Sequence, residues 1–128
     1  MEKYFELAIK EAEKALKKGE VPVGAIIVRN SKVIAKSHNV RQKKYDLLGH
    51  AEIKCILNAE KKIKDWRLNE CDLYVTLEPC DMCNVFIKES RLSNVYYLLT
   101  KNHTRTNVCK EVSEQYEKML KDFFEKLR

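Results

Sequence analysis

Residues 75–86, VTLEPCDMCNVF, join an apolar run to a proline and to two cysteines spaced C-x-x-C. The run from Asp72 to Glu78, DLYVTLE, predicts a strand. We expect a helix to begin at Pro79, because the missing N–H of proline needs no partner in a first turn. The helix start would place both sulfurs on one side and favour their thiolate form. Alone, this junction predicts a structural metal half-site or a redox pair.

A second stretch, LLGHAEIKCI at residues 47–56, places a histidine two positions before a glutamate. Apolar residues at helical spacing predict a helix that begins near His50. If this helix lies beside the C-x-x-C helix on one sheet face, then His50, Cys80 and Cys83 converge. One nitrogen and two sulfurs suit tetrahedral zinc, and the fourth position is left for water whose pKa the metal would lower.

The presence of Glu52 indicates a catalytic zinc site rather than a structural one. A structural site has no use for this carboxylate, whereas hydrolysis needs a group that moves a proton from water to the leaving group. H-x-E combined with P-C-x-x-C is the known signature of zinc-dependent nucleobase deaminases, in which the glutamate shuttles protons and does not bind zinc. A thioredoxin-like interpretation fails, because it leaves His50 unexplained and the C-x-x-C follows no first βα turn.

The remaining pattern predicts one α/β domain over residues 1–128. An amphipathic helix over residues 2–18 ends at Gly19, and VPVGAIIV and KVIAKSH form a hairpin around the turn Asn30–Ser31. NVYYLL is a further strand, residues 102–108 are a candidate fifth strand, and the last helix follows. This order predicts a three-layer α/β/α fold with a mixed, mostly parallel five-stranded sheet.

The composition is that of a globular domain with basic charge. The 128 residues are 45% hydrophobic and 34% charged, with a net charge of +6 and a pI near 9.0. This charge favours a polyanionic partner such as nucleic acid, although lysines that alternate with glutamates also suit solvated helix faces. No apolar run approaches the roughly 20 residues of a membrane span, and no signal peptide is visible, so we expect a cytoplasmic protein without membrane contact.

The five cysteines do not form a disulfide framework, because their number is odd and no secretion signal accompanies them. Two of them belong to the C-x-x-C pair. We expect Cys55, Cys71 and Cys109 to be buried thiols that pack as small apolar residues.

Taken together, the chain resembles the bacterial tRNA adenosine deaminases, which convert adenosine to inosine at the anticodon wobble position. The resemblance covers nearly the whole length. It implies a cytidine-deaminase-like fold, one Zn²⁺ per subunit and a homodimer in which the partner helps to shape each site. The matching stretches are VPVGAIIV, HN at 38–39, GHAEI, DWRLNECDLYVTLEPCDMC, SRLSNVYY and KDFFEKLR.

The resemblance also implies a role for individual residues. A flipped adenosine would enter a pocket in which His50, Cys80 and Cys83 hold zinc and Glu52 shuttles protons. Further implied contacts are Asn39 with the base, Val23 and Leu77 as apolar pocket walls, the backbone of Ala51 and Cys80 near the attacked carbon, and Phe124 and Arg128 with the substrate strand.

The chain departs from the family after the strand NVYYLL. The family has a glycine-bearing loop and a short helix there, whereas YYLLTKNH runs straight on to Asn102–His103. Residues 84–86 also replace the small residues that usually follow the cysteine pair. Because the missing loop borders the bound strand, we hypothesise relaxed substrate choice that extends to other RNA or single-stranded DNA.

Two other functions fit the zinc motif. The first is deamination of free cytosine, cytidine or guanine; the basic charge and the KDFFEKLR terminus favour a polynucleotide instead. The second is a non-catalytic, zinc-stabilised RNA-binding subunit. Glu52 argues against that second function, because an inactive chain has no need of the carboxylate.

Overall fold

The computed structural model describes residues 1–42 and 44–127, which form a four-stranded sheet between two pairs of helices. Within these ranges, no helix is both long and apolar enough to cross a membrane. The elements in chain order are α1 (Glu2–Lys17), β1 (Gly24–Arg29), β2 (Lys32–His38), α2 (Ala51–Ile63), β3 (Cys71–Leu77), α3 (Asp81–Glu89), β4 (Asn94–Leu99) and α4 (Lys110–Lys126).

The strands are ordered β2-β1-β3-β4, which confirms a mixed sheet within an α/β/α fold. The prediction of mostly parallel pairing is wrong. Strand β1 is antiparallel to both of its neighbours, and only β3 and β4 pair in parallel. The hairpin is the cause, because β1 lies between β2 and β3 and separates two strands that run in the same direction.

The predicted fifth strand does not form in residues 102–108. This segment makes one isolated bridge, between Leu99 and Arg105, together with a few backbone hydrogen bonds near it. Positive φ angles at His103 (63°) and Asn107 (70°) turn the backbone away from an extended path. The chain therefore turns back beside β4 for a few residues and then enters α4.

Turn chemistry explains the hairpin. Asn30 and Ser31 have φ angles of 51° and 61°, as the two central residues of a type I′ turn require. Gly19, with φ of 77°, lies just after α1 and confirms the predicted left-handed end. Helix α3 begins two residues later than predicted, because Pro79 precedes its N-cap, Cys80.

Two apolar layers cover the sheet. Alternate residues of β1 point to opposite faces: Ile26 packs under α1 and α4, and Ile27 packs under α2. The first layer includes the buried Tyr116 of α4, whose O–H donates to the Pro22 carbonyl at 2.6 Å. The cysteines outside the C-x-x-C pair follow the prediction in part: Cys55 and Cys71 are buried, whereas Cys109 is only partly buried.

The closest approach of α1 to the sheet depends on Gly24. A Cβ placed at Gly24 would overlap the Ala8 carbonyl oxygen and lie 2.6 Å from the Ala12 nitrogen. Both are backbone atoms that cannot move without displacing the helix. We expect Gly24→Ala to lower the free energy of unfolding by about 3 kcal/mol or more. Gly19→Ala, which meets only strain from its positive φ, should cost about 1 kcal/mol. Urea denaturation measures both, and equal losses would contradict this account.

Candidate metal centre and pocket

Three donor atoms meet where two helices begin. His50 is the N-cap of α2 and Cys80 is the N-cap of α3, and both have extended backbone angles. The His50 Nδ1 lies 3.4 Å from the Cys83 Sγ and 3.8 Å from the Cys80 Sγ, and the two sulfurs are 3.5 Å apart. The structure thus brings together three residues that are distant in sequence.

These distances fit a tetrahedral metal site. Zinc bonds of about 2.0–2.1 Å to nitrogen and about 2.3 Å to sulfur imply donor separations of roughly 3.5–3.8 Å. The three separations in this site, 3.4, 3.5 and 3.8 Å, lie close to that range. Borderline-soft nitrogen and sulfur donors are also those that zinc prefers. The three residues therefore fit a divalent cation, for which Nδ1 would be the donor atom of His50.

The electrostatic environment of the donor atoms favours the binding of a cation. Burial, with Arg41 nearby, lowers the pKa of His50 and keeps its imidazole in the neutral form that binds metals. Burial raises the pKa of the Cys83 thiol, so negative charge there needs a compensating positive group. The amino end of α3 supplies part of that compensation, and a bound cation would supply the rest.

Glu52 lies in the first turn of α2 and is 4% exposed. Its carboxylate lies beside the Cys83 side chain. Burial raises the pKa of Glu52, which makes this carboxylate a better proton acceptor than an exposed glutamate. A carboxylate beside the three donors, at the wall of a pocket, can exchange protons with a molecule bound there.

A cavity of about 260 Å³ opens above the three donors. Of the residues predicted to contact substrate, Val23, Asn39, Leu77 and Cys80 line this cavity, whereas Ala51 and Phe124 do not. Five of the lining residues were not predicted from the sequence: Glu20, Val21, Arg41, Gln42 and Glu78. Each lies within three positions of a predicted residue, and this proximity is the signal that could have identified them. The complete lining is Glu20, Val21, Val23, Asn39, Arg41, Gln42, His50, Glu52, Leu77, Glu78 and Cys80.

Asn39 connects the pocket to the start of α2. Its Oδ1 accepts a hydrogen bond from the Ala51 N–H at 2.9 Å, and its Nδ2 donates to the Val21 carbonyl at 3.1 Å. A primary amide has two N–H donors and two lone pairs, so one of each stays available for a ligand. Ala51 is buried and contributes to the site through this backbone bond.

Comparison with known proteins identifies the family. The chain matches the MafB19-like deaminase family over residues 1–128. It is 39% identical to the tRNA-specific adenosine deaminase of Bacillus subtilis (strain 168), over 99% of this chain and 90% of that protein. The chain belongs to the bacterial tRNA-specific adenosine deaminase family. The corresponding Aquifex aeolicus (strain VF5) protein is 37% identical, over 99% of this deaminase and 95% of that protein.

Similar solved structures agree with this family assignment. A protein from a study of A-to-I editing by tRNA:A34 deaminases matches this deaminase with a TM-score of 0.75 and 42% identity, over 77% of this chain and 75% of that one. The guanine deaminase of Bacillus subtilis also gives a TM-score of 0.75, at 31% identity, over 79% of this chain and 65% of that one. The fold therefore serves more than one deaminase.

The alignment with the Bacillus subtilis protein leaves gaps in this chain. Its alignment with the Bacillus subtilis protein spans 145 positions, against 128 residues here, so at least 17 of those positions are gaps in this chain. The sequence predicts the missing segment at residues 100–109, which form a direct link between β4 and α4. The Lys101 N–H of this link donates to the Glu78 carboxylate at 3.0 Å, beside the pocket.

Phe124 lies away from the metal centre, on α4. Its ring stacks on His103 at 5.8 Å and contacts Phe123 edge-on at 5.2 Å. Phe124 is 37% exposed and borders an open groove together with Lys118 and Lys121. Arg128, which was predicted with Phe124 to touch the substrate strand, lies outside the described residues.

Removal of the Asn39 side chain should weaken the fold and the start of α2. Asn39→Ala leaves the buried Ala51 N–H without its partner, which costs about 1–3 kcal/mol. The matched change Asn102→Ala, at an exposed turn, should cost less than about 0.5 kcal/mol. Urea denaturation of both variants tests this, and an Asn39→Ala protein as stable as the parent would contradict the assigned bond.

Proposed function

We propose that this deaminase converts adenosine in RNA to inosine, with the wobble adenosine of a tRNA anticodon as its main substrate. The observation that carries the proposal is the buried Glu52 carboxylate beside a three-donor metal centre, at the wall of a pocket. The full-length relatives named tRNA-specific adenosine deaminase supply the substrate class.

The metal proposed for His50, Cys80 and Cys83 is one Zn²⁺ per chain. When bound, zinc would supply Lewis acidity and lower the pKa of water in its fourth position. The nitrogen and sulfur donor set and its separations support this choice over Mg²⁺ or Ca²⁺, which prefer oxygen ligands.

Glu52 moves the protons in the proposed reaction. Its carboxylate takes a proton from the attacking water and donates it to a ring nitrogen of the base. It then takes the proton of the new C–O–H group and delivers it to the amine, which leaves as ammonia. Adenosine and water are thereby converted to inosine and ammonia, and Glu52 returns to its starting state.

The pocket suits a single base that has left its stack. Val23 and Leu77 offer apolar walls, and Asn39 has one donor and one acceptor left for the base edge. A target base must swing out of a stacked strand to reach such a pocket. The small cavity supports a nucleobase as the group that is bound.

Features at the pocket and elsewhere on the surface support a polynucleotide substrate. The net charge is +6, Arg41 lies at the pocket, and the exposed Phe124 ring beside Lys118 and Lys121 can stack on a base. We propose that Phe124 and Arg128 touch the strand. A homodimer and a cytoplasmic location, where tRNA is processed, complete the proposal.

A free-base deaminase is the second candidate. The guanine deaminase structure, at 31% identity, supports it, because a similar fold belongs there to an enzyme named for a free base. The RNA substrate is favoured, because the basic charge of the protein attracts a polyanion more strongly than a neutral base. A non-catalytic RNA-binding subunit is disfavoured by the buried Glu52, which is costly to retain without a role.

Glu52→Gln should remove turnover and leave the metal in place. We expect inosine formation to fall about 10³-fold, because the amide cannot exchange the proton. Zinc content should stay near one per chain, whereas Cys83→Ala should lose the metal. Glu60→Gln, a matched change further along α2, should keep full activity. Product chromatography and metal analysis measure these results, and undiminished turnover in Glu52→Gln would refute the assigned shuttle.

The short link between β4 and α4 should relax substrate choice. We expect an anticodon stem-loop with adenosine at the wobble position to react fastest, and unstructured RNA or single-stranded DNA of the same sequence to react within about 100-fold, a modest loss of transition-state binding. Initial rates across this panel, with free adenosine and guanine added, test the idea. A preference for the stem-loop of many orders of magnitude would contradict relaxed choice, and faster turnover of guanine would favour the second candidate.

A further inference from the structure

A second cluster of ionisable groups lies outside the pocket, between α1 and the end of β2. The carboxylate of Glu11, 4% exposed, accepts hydrogen bonds from Lys14 at 2.6 Å and from His38 Nδ1 at 3.1 Å. The other ring nitrogen of His38 lies 3.1 Å from the Lys18 ammonium. One neutral tautomer of His38 satisfies both contacts, because Nδ1–H donates to Glu11 and Nε2 accepts from Lys18. The proposed reaction uses none of these groups.

Glu11 is an unusual residue for its position on α1. The neighbouring buried positions of that face carry Ala8, Ile9, Ala12 and Ala15, which pack without any polar partner. Burial of a carboxylate is unfavourable unless its oxygens are hydrogen-bonded, and a small apolar residue would avoid that cost. We therefore expect the Glu11 carboxylate to have a role beyond packing. Its one partner outside α1 is His38, among the hydrogen bonds described for it.

The strand end that Glu11 holds continues directly into the pocket. His38 is the last residue of β2, and the next residue is Asn39. The Asn39 N–H donates to the Val23 carbonyl at 3.2 Å, and its Oδ1 accepts from Ala51 at 2.9 Å. Ala51 lies between His50, a metal donor, and Glu52. A short chain of hydrogen bonds thus joins α1 to the first residue of α2.

We propose that Glu11 and His38 are positioning residues, which hold the end of β2 so that Asn39 fixes the start of α2 and, with it, His50 and Glu52. The kinetic part of this inference rests on the proposed function. The structural part does not, because it concerns the Ala51 amide. If the Glu11–His38 bond is lost, the strand end gains freedom, and the Asn39–Ala51 bond should open more often than the rest of the fold.

Hydrogen exchange at two amides separates positioning from plain stability. In Glu11→Ala, the Ala51 amide should exchange about tenfold faster through local opening, while the Val75 amide at the centre of β3 is unchanged. Glu11→Gln keeps the size and one acceptor oxygen, so it should restore part of the protection. Glu6→Gln, an exposed change on the same helix, should behave as the parent protein.

Kinetics and coupling provide further readouts. In Glu11→Ala, kcat should fall about tenfold with KM within about twofold, because misplaced catalytic groups affect the transition state more than binding. Glu11→Ala combined with His38→Ala should be no worse than either single change, since both remove one interaction. The absorption bands of the Co²⁺-substituted protein should shift in Glu11→Ala and stay unchanged in Glu6→Gln.

Each outcome of these experiments supports or contradicts the positioning role of Glu11 and His38. Equal acceleration of Ala51 and Val75 in Glu11→Ala would show a general loss of stability and overturn the positioning role. Protection and kcat like those of Glu6→Gln would overturn it as well. If Glu11→Ala does not fold, the same comparison is made with Glu11→Gln. Absence of deamination by the parent protein would defeat the proposed function alone, because the exchange and Co²⁺ measurements still test the positioning.

Discussion

The site depends on the convergence of two helix starts at one edge of the sheet. Strands β2 and β3 run in the same direction, since β1 lies between them and is antiparallel to both. Their ends therefore lie at the same edge, and each leads into a helix on the same face. His50 begins one helix and Cys80 begins the other, so donors thirty positions apart meet within bonding distance of one cation. Without the antiparallel strand between them, the two helix starts would have a different separation.

Buried charge is concentrated around this edge. Glu52 and Glu11 are each 4% exposed, although burial of a carboxylate opposes folding. Glu52 lies beside the Cys83 side chain, and Glu11 accepts hydrogen bonds from a lysine and a histidine. The apolar layers under the helices supply the stability that offsets this cost. Polar groups that weaken a fold and gather near one pocket are expected at a site selected for chemistry.

A short link, residues 100–109, joins β4 to α4. It turns at residues 100–104, pairs briefly with β4 and places His103 against Phe124 of α4. Its Lys101 N–H also binds Glu78, which lines the pocket. The link thus contacts both the terminal helix and a residue of the pocket wall. A shorter segment at this border leaves less protein to contact a bound strand, which is the physical basis for the expected breadth of substrate.

Local patterns in the sequence determined the elements and the centre of the site. Strand β4 and the Asn30–Ser31 turn follow from side-chain period and turn chemistry, and His50, Glu52, Cys80 and Cys83 follow from residue types that few other functions require together. Strand pairing, the loss of the fifth strand and the contact of Glu11 with His38 were decided by the tertiary structure. Strand pairing and the Glu11–His38 contact join segments that are distant in sequence, and the loss of the fifth strand depends on backbone angles near His103. Side-chain periodicity indicates neither the distant partners nor these angles.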